Sequence, residues 1–176
     1  MVLIASDLLR VAAVVSLVAG TVAYGWVGAA LFLLVLGGTF VPRAVGASPW
    51  LDTAYCATLI FGAWAAQLDW YVTVEWLDVV VHAAATGLIA AVAWRVLEVV
   101  GGVGSAPSPV AVVVTAAMAT ALAAVWEVLE WIGHTWIDSR IQVGYDDTIG
   151  DLAAGMAGAV VAGVAVGLTR RGDVAR

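Results

Sequence analysis

The sequence predicts an all-α, polytopic transmembrane helical bundle, and three observations carry that prediction. Of the 176 residues, 64% are hydrophobic and 11% charged, where a soluble domain carries roughly 45–50% and about 25%. The mean hydropathy is +1.04, so the few charges cannot cover the apolar surface in water. Apolar runs long enough to cross a bilayer follow one another, separated by short Gly, Pro, Arg or acidic clusters.

Six spans follow in order. The first, about 8–24, carries Asp7 in its leader and ends at Tyr24-Gly25-Trp26. A cleavable leader is the competing reading, but the acidic Asp7 and the immediate second run favour a retained span. The second, about 26–42, ends at Pro42-Arg43, and the stretch from Pro42 to Pro49 leads into the third, about 51–68. The third holds Cys56, the single cysteine; it has no partner for an internal disulfide and reads as a small core hydrophobe. The fourth, about 75–97, opens on acidic residues, and a Gly-, Ser- and Pro-rich connection from Gly101 to Pro109 leads to the fifth, about 109–134. The sixth, about 147–169, ends at Arg170-Arg171. Residues 1–176 thus read as one integral membrane domain, a multi-pass protein of the cell membrane with the lipid bilayer as its first partner.

Charge sets the expected orientation. With the N-terminus in the cytoplasm, Arg10, Arg43, Arg95, Arg170, Arg171 and Arg176 are cytoplasmic and only Arg140 lies outside, as the positive-inside rule requires. An even number of spans returns the C-terminus to the cytoplasm. The net charge is −6, from 13 acidic and 7 basic residues, so no basic stripe exists to neutralise phosphates and nucleic acid is excluded as a partner.

The same topology gathers Asp69, Glu75, Asp78, Glu127, Glu130, Asp138, Asp146, Asp147 and Asp151, with His82 and His134, toward the extracytoplasmic side. Glu75, Asp78 and His82 follow i, i+3, i+7 spacing and share one helical face, and Glu127, Glu130 and His134 repeat it. Asp147 and Asp151 open the sixth span one turn apart, followed at fourfold spacing by Gly155, Ala159, Gly163 and Gly167. Such a small-residue seam lets helix backbones approach, which predicts that the last three spans pack with their polar groups converging.

Each ionised carboxylate placed there costs at least ~2.5–3.5 kcal/mol, so protonation, water or a bound cation must compensate. Asp78, His82, Glu127, Glu130 and Asp151 are the expected ligands of a divalent metal ion. Carboxylates mixed with imidazole favour Zn²⁺ or Fe/Mn over Mg²⁺. Glu130 or Asp147 is the expected catalytic base. The E-x-x-E-x-x-x-H spacing departs from the E-x-x-H of di-metal bundles. Asp69, Glu75, Asp138 and Asp146 read instead as solvated interface groups, and most of the nine Trp as interface anchors.

The strings Trp76-Leu77-Asp78-Val79-Val80-Val81-His82, Trp126-Glu127-Val128-Leu129-Glu130 and Gly144-Tyr145-Asp146-Asp147-Thr148-Ile149-Gly150-Asp151-Leu152, followed by Gly158-Ala159, resemble the YjdF-like family of small polytopic bacterial and archaeal membrane proteins. Val41-Pro42-Arg43 is similar to that family's Leu-Pro-Arg. Leu77, between Trp76 and Asp78, departs from its adjacent pair. The resemblance implies six spans, with Asp78, His82, Glu127, Glu130, Asp147 and Asp151 at the family's polar positions; it implies no activity. A more distant likeness is to VanZ-like proteins.

Three functions compete. A metal centre would hydrolyse or transfer a group on a lipid head group or lipid-linked phosphate. A proton- or cation-coupled transport module would use the same carboxylates as a relay, although between His82 and Arg95 the fourth span is apolar except for Thr86. A non-enzymatic structural or accessory subunit would use them to lock helices, although such hydrogen bonds contribute only ~0.6 kcal/mol on average.

Overall fold

The computed structural model describes residues 5–101 and 108–174, with side chains described over 5–101 and 109–168. The side chains of Arg170 and Arg171, the residue Arg176 and most of the connection from Gly101 to Pro109 lie outside the described set. Every regular element in it is a helix: α1 (Ala5–Ala44), α2 (Pro49–Gln67), α3 (Trp70–Thr73), α4 (Glu75–Gly101), α5 (Ser108–Trp136) and α6 (Tyr145–Val174). The chain divides into two compact units, residues 1–78 and 79–176, and α4 runs continuously through the division.

In the first unit, α1 is broken at Gly25, whose φ of 66° and ψ of −147° fall where essentially only glycine goes. The two arms of α1 fold back on each other there, at the turn expected from Tyr24-Gly25-Trp26. Gly28 abuts the Gly20 carbonyl, the Phe32 ring fills the space beside Gly20, and the Arg10 guanidinium reaches the Thr39 carbonyl. The face that the first arm buries carries Arg10, Ala13, Ser16 and Gly20, while Val11, Val15, Val18 and Val22 are exposed. Small and polar residues inside with apolar ones outside is the reverse of a helix in water, and suits a helix whose outer face meets lipid.

The second arm ends where Gly46, at φ 63°, allows Ala47 N to donate to Pro42 O at 2.9 Å and Gly46 N to Arg43 O at 3.2 Å, a Schellman close. Ser48 then caps α2 by accepting from Leu51 N, with Pro49 in the first turn. Phe32, Val35 and Ala63 form the core between α1 and α2. Trp64 stacks 4.8 Å from Phe32 and donates its Nε1–H to Ser16 Oγ at 2.9 Å, so its one polar atom is satisfied inside the apolar layer. The expected linker after the third span contains α3, entered through Asp69 at φ 54° and tied to α2 by the Tyr71 hydroxyl donating to Gly62 O.

In the second unit, α4 and α6 run parallel in constant register. His82 faces Asp151, Thr86 faces Gly155 one turn on, and Ala90 meets Ala159, with Ala119 of α5 completing the cluster. The α5 helix closes against α6 where Gly163 touches the backbone of Val112. These contacts are what the fourfold small-residue spacing predicts. Among the described residues, four helices, α1, α4, α5 and α6, are each long and apolar enough to cross a membrane; α2, where the third span was expected, is not among them.

Candidate functional site

The site is built on the first two turns of α4 and the first two of α6. Asp78 and His82 stand one turn apart on the same helix, and His82 Nε2 lies 3.6 Å from Asp151 Oδ2. One ligand atom from each of Asp78, His82 and Asp151 lies within 4.8 Å of the other two. Asp151 is 6% exposed; Asp78 and His82 are half-buried. The backbones come this close because the layer beneath holds Gly155, Gly158 and Gly87, with no side chain to hold the helices apart.

The three side chains are donor types that could hold a small cation. Two donors each about 2.1 Å from an ion in tetrahedral array stand about 3.4 Å apart, and about 4.2 Å at most. The His82–Asp151 pair, at 3.6 Å, is near the tetrahedral figure, whereas a spacing at the 4.8 Å limit would have to close by more than about 1 Å to reach it.

Three of the five expected ligands are therefore brought together. Glu127 is buried on α5, and Glu130 is half-buried one turn further; neither belongs to the compact group of three. Asp147 is exposed one turn before Asp151, and its charge acts on His82. His134 Nδ1 pairs with the Ile141 carbonyl at 2.6 Å, which ties the end of α5 to the following loop. Glu75, Asp69 and Asp146 are exposed, as expected of interface groups. In the loop, Asp138 accepts from Arg140 Nη2 at 2.6 Å, from its Nε at 3.0 Å and from its backbone N–H at 3.0 Å. The Arg140 hydrogen bonds, first from the side chain and then from the backbone, hold the Asp138 carboxyl down at about 2, below its ordinary 3.8.

A second polar cluster escaped the sequence reading, which took Arg10 and Arg43 only as flanking charges and Cys56 only as a hydrophobe. Arg10 is 7% exposed and Asp52 2%. Arg10 Nη2 donates to Asp52 Oδ1 at 2.6 Å and to Thr39 O at 2.8 Å, its Nε to Thr39 O at 3.1 Å, and its Nη1 to Ser6 Oγ and Asp7 Oδ1, both at 3.1 Å. Ser6 Oγ donates to Asp52 Oδ2 at 2.7 Å, Cys56 Sγ to Asp52 Oδ1 at 3.5 Å, and Arg43 lies 3.8 Å from Asp7. Two Arg and two Asp share this cluster, so it is internally neutral, and the guanidinium donors of Arg10 are used. The available signal was Asp52 in the first turn of an apolar helix, a charge that lipid would penalise unless a partner stood nearby.

The sequence profile of the family described as "Predicted membrane protein (DUF2238)" matches residues 1–172. No curated protein and no solved structure matches the chain.

Proposed function

The chain belongs to the DUF2238 family of predicted membrane proteins, and from that premise we propose that this multi-pass membrane protein carries a divalent transition-metal centre on α4 and α6. The observation that supports it best is the convergence of Asp78, His82 and Asp151 to within 4.8 Å in the outer turns of two apolar helices. These three residues would hold the ion, Zn²⁺ or Mn²⁺/Fe²⁺ before Mg²⁺. The motif pattern shared with YjdF-like proteins contains all three.

The membrane frame of this reading counts six crossings: two arms of α1, then α2, α4, α5 and α6. Both termini are cytoplasmic, because that arrangement leaves only Arg140 of the seven Arg outside. The site then opens to the extracytoplasmic face. Trp76, Trp131, Trp136 and Tyr145, all exposed, mark the interface at the ends of α4, α5 and α6. His82 lies six residues below Trp76, about 9 Å along the helix, just beneath the head-group level at which such Trp rings sit.

On that frame the substrate class is a lipid head group or lipid-linked phosphate, and the reaction a hydrolysis or group transfer. A bound ion would supply Lewis-acid polarisation and an activated water. Asp147, exposed beside His82, is the better placed base; Glu130, half-buried on α5, is the second. Both would take a proton from the attacking water. The tight Thr86–Gly155 and Ala90–Ala159 layers below the site favour this over the transport reading, since they offer an ion one hydroxyl and then only methyl groups.

Elemental analysis of protein purified without chelator tests the proposal, with Asp78→Ala and Asp151→Ala as partners. About one metal per chain, lost in both variants, is the expected result. Metal-free protein that conducts protons or cations in proteoliposomes would establish the transport reading, and metal-free protein with no flux the structural one.

A further inference from the structure

Resting on the metal-site reading above, we infer that Gly158, and more weakly Gly155, are positioning residues that set the His82–Asp151 spacing by letting α4 and α6 touch through their backbones. A Cβ on Gly158 would overlap the carbonyl of Ala83, the residue directly after His82, and a Cβ on Gly87 would lie 2.9 Å from Gly158 O. The obstacle at position 158 is thus backbone within the very turn that carries His82. It cannot swing aside as a side chain does, so a methyl group there pushes the whole turn, and the imidazole with it, away from α6.

The tolerance is small. His82 Nε2 and Asp151 Oδ2 stand 3.6 Å apart, and two donors on one ion reach at most about 4.2 Å. A separation of a few tenths of an ångström uses up that margin. Gly155 is a graded case: its Cβ would meet Thr86 Oγ1 at 2.8 Å and Thr86 Cβ at 3.3 Å, and the hydroxyl can rotate away while the Cβ cannot. Gly150, adjacent to Asp151, has open space around its would-be Cβ and serves as the control.

The experiment measures Zn²⁺ and Mn²⁺ affinity of the full chain in detergent by competition titration, together with the Co²⁺ absorption spectrum as a readout of ligand geometry. Thermal midpoints of metal-free protein report folding separately. Expected are a loss of tenfold or more in Gly158→Ala with an altered Co²⁺ spectrum, a smaller loss in Gly155→Ala that Thr86→Ala partly restores, and wild-type affinity in Gly150→Ala. Affinity and spectrum within twofold of wild type in Gly158→Ala overturn the inference. If Gly158→Ala does not fold, Gly155→Ala decides: wild-type affinity there, or no recovery with Thr86→Ala, overturns it equally. Wild-type protein that takes up none of these metals fails the metal reading itself, which the variants alone cannot do.

Discussion

Arg10 Nη2 lies 2.6 Å from Asp52 Oδ1 although 42 residues separate them, and that contact ties the first arm of α1 to the first turn of α2. Both side chains are buried, so neither charge has water to fall back on. Asp52→Ala would leave the guanidinium with Asp7, Ser6 and Thr39 O but without its closest counter-charge. We expect a loss of about 3 kcal/mol, the lower end of the range for breaking one side of a buried pair, measured by denaturant unfolding in detergent. The double variant Arg10→Leu/Asp52→Leu should lose less than Asp52→Ala alone, because no charge is stranded. Equal or larger loss in the double variant would show that the pair is not coupled.

Gly25 and Gly37 make a matched comparison. Neither would crowd an added Cβ, but only Gly25 has a positive φ. Gly25→Ala should destabilise by about 1–3 kcal/mol through backbone strain alone, whereas Gly37→Ala, on the second arm of α1, should be neutral or stabilising by up to about 1 kcal/mol. Thermal midpoints of the two variants side by side are the check; a stabilised Gly25→Ala would contradict the hairpin turn.

Added metal should stabilise the protein by mass action. At a free Zn²⁺ or Mn²⁺ concentration of about 100 Kd, the gain is about 2.7 kcal/mol, read as a rise in thermal midpoint that chelator reverses. Asp151→Asn, which replaces a charged ligand by a neutral one of the same shape, should abolish most of that rise. A rise of equal size in Asp151→Asn would place the ion elsewhere.

The Asp138–Arg140 turn carries a pH dependence whose sign is fixed by a depressed carboxyl. Its pKa is about 2 against an ordinary 3.8, so the turn's stabilisation is complete above about pH 4 and is lost as pH falls through about 2. A carboxyl titration of Asp138 by NMR should give that low midpoint in wild type and return toward 3.8 in Arg140→Ala. An unmoved midpoint in the variant would mean that Arg140 is not the cause.

Much of the backbone was legible in advance because lipid leaves the chain few choices. The turn at Tyr24-Gly25-Trp26, the start of α2 near Pro49 and the start of α4 at Glu75 fall within a few residues of their expected places. The Asp151-Gly155-Ala159 spacing announced a buried seam on α6, but Asp147, expected on the same face, is exposed because it stands one turn before the helices close. The short α3, by contrast, carried no periodicity to read in four residues. The Arg10–Asp52 cluster was hidden for another reason: Arg10, next to a run of apolar residues, has the same appearance in sequence whether it snorkels to a head group or turns inward to an acid.

What the sequence determined alone is the set of apolar helices, their ends and the polar stripe on each, since backbone hydrogen bonds in a bilayer must be satisfied within each segment and hydropathy therefore reports them directly. Which polar stripes meet was decided only by tertiary structure. That Asp78 and His82 face Asp151, and that Arg10 faces Asp52, depends on the rotation and register of whole helices. Those are set by many small packing contacts, such as Gly158 on Ala83 and Gly28 on Gly20; a small residue marks a packed face in the sequence but does not name the partner that packs there.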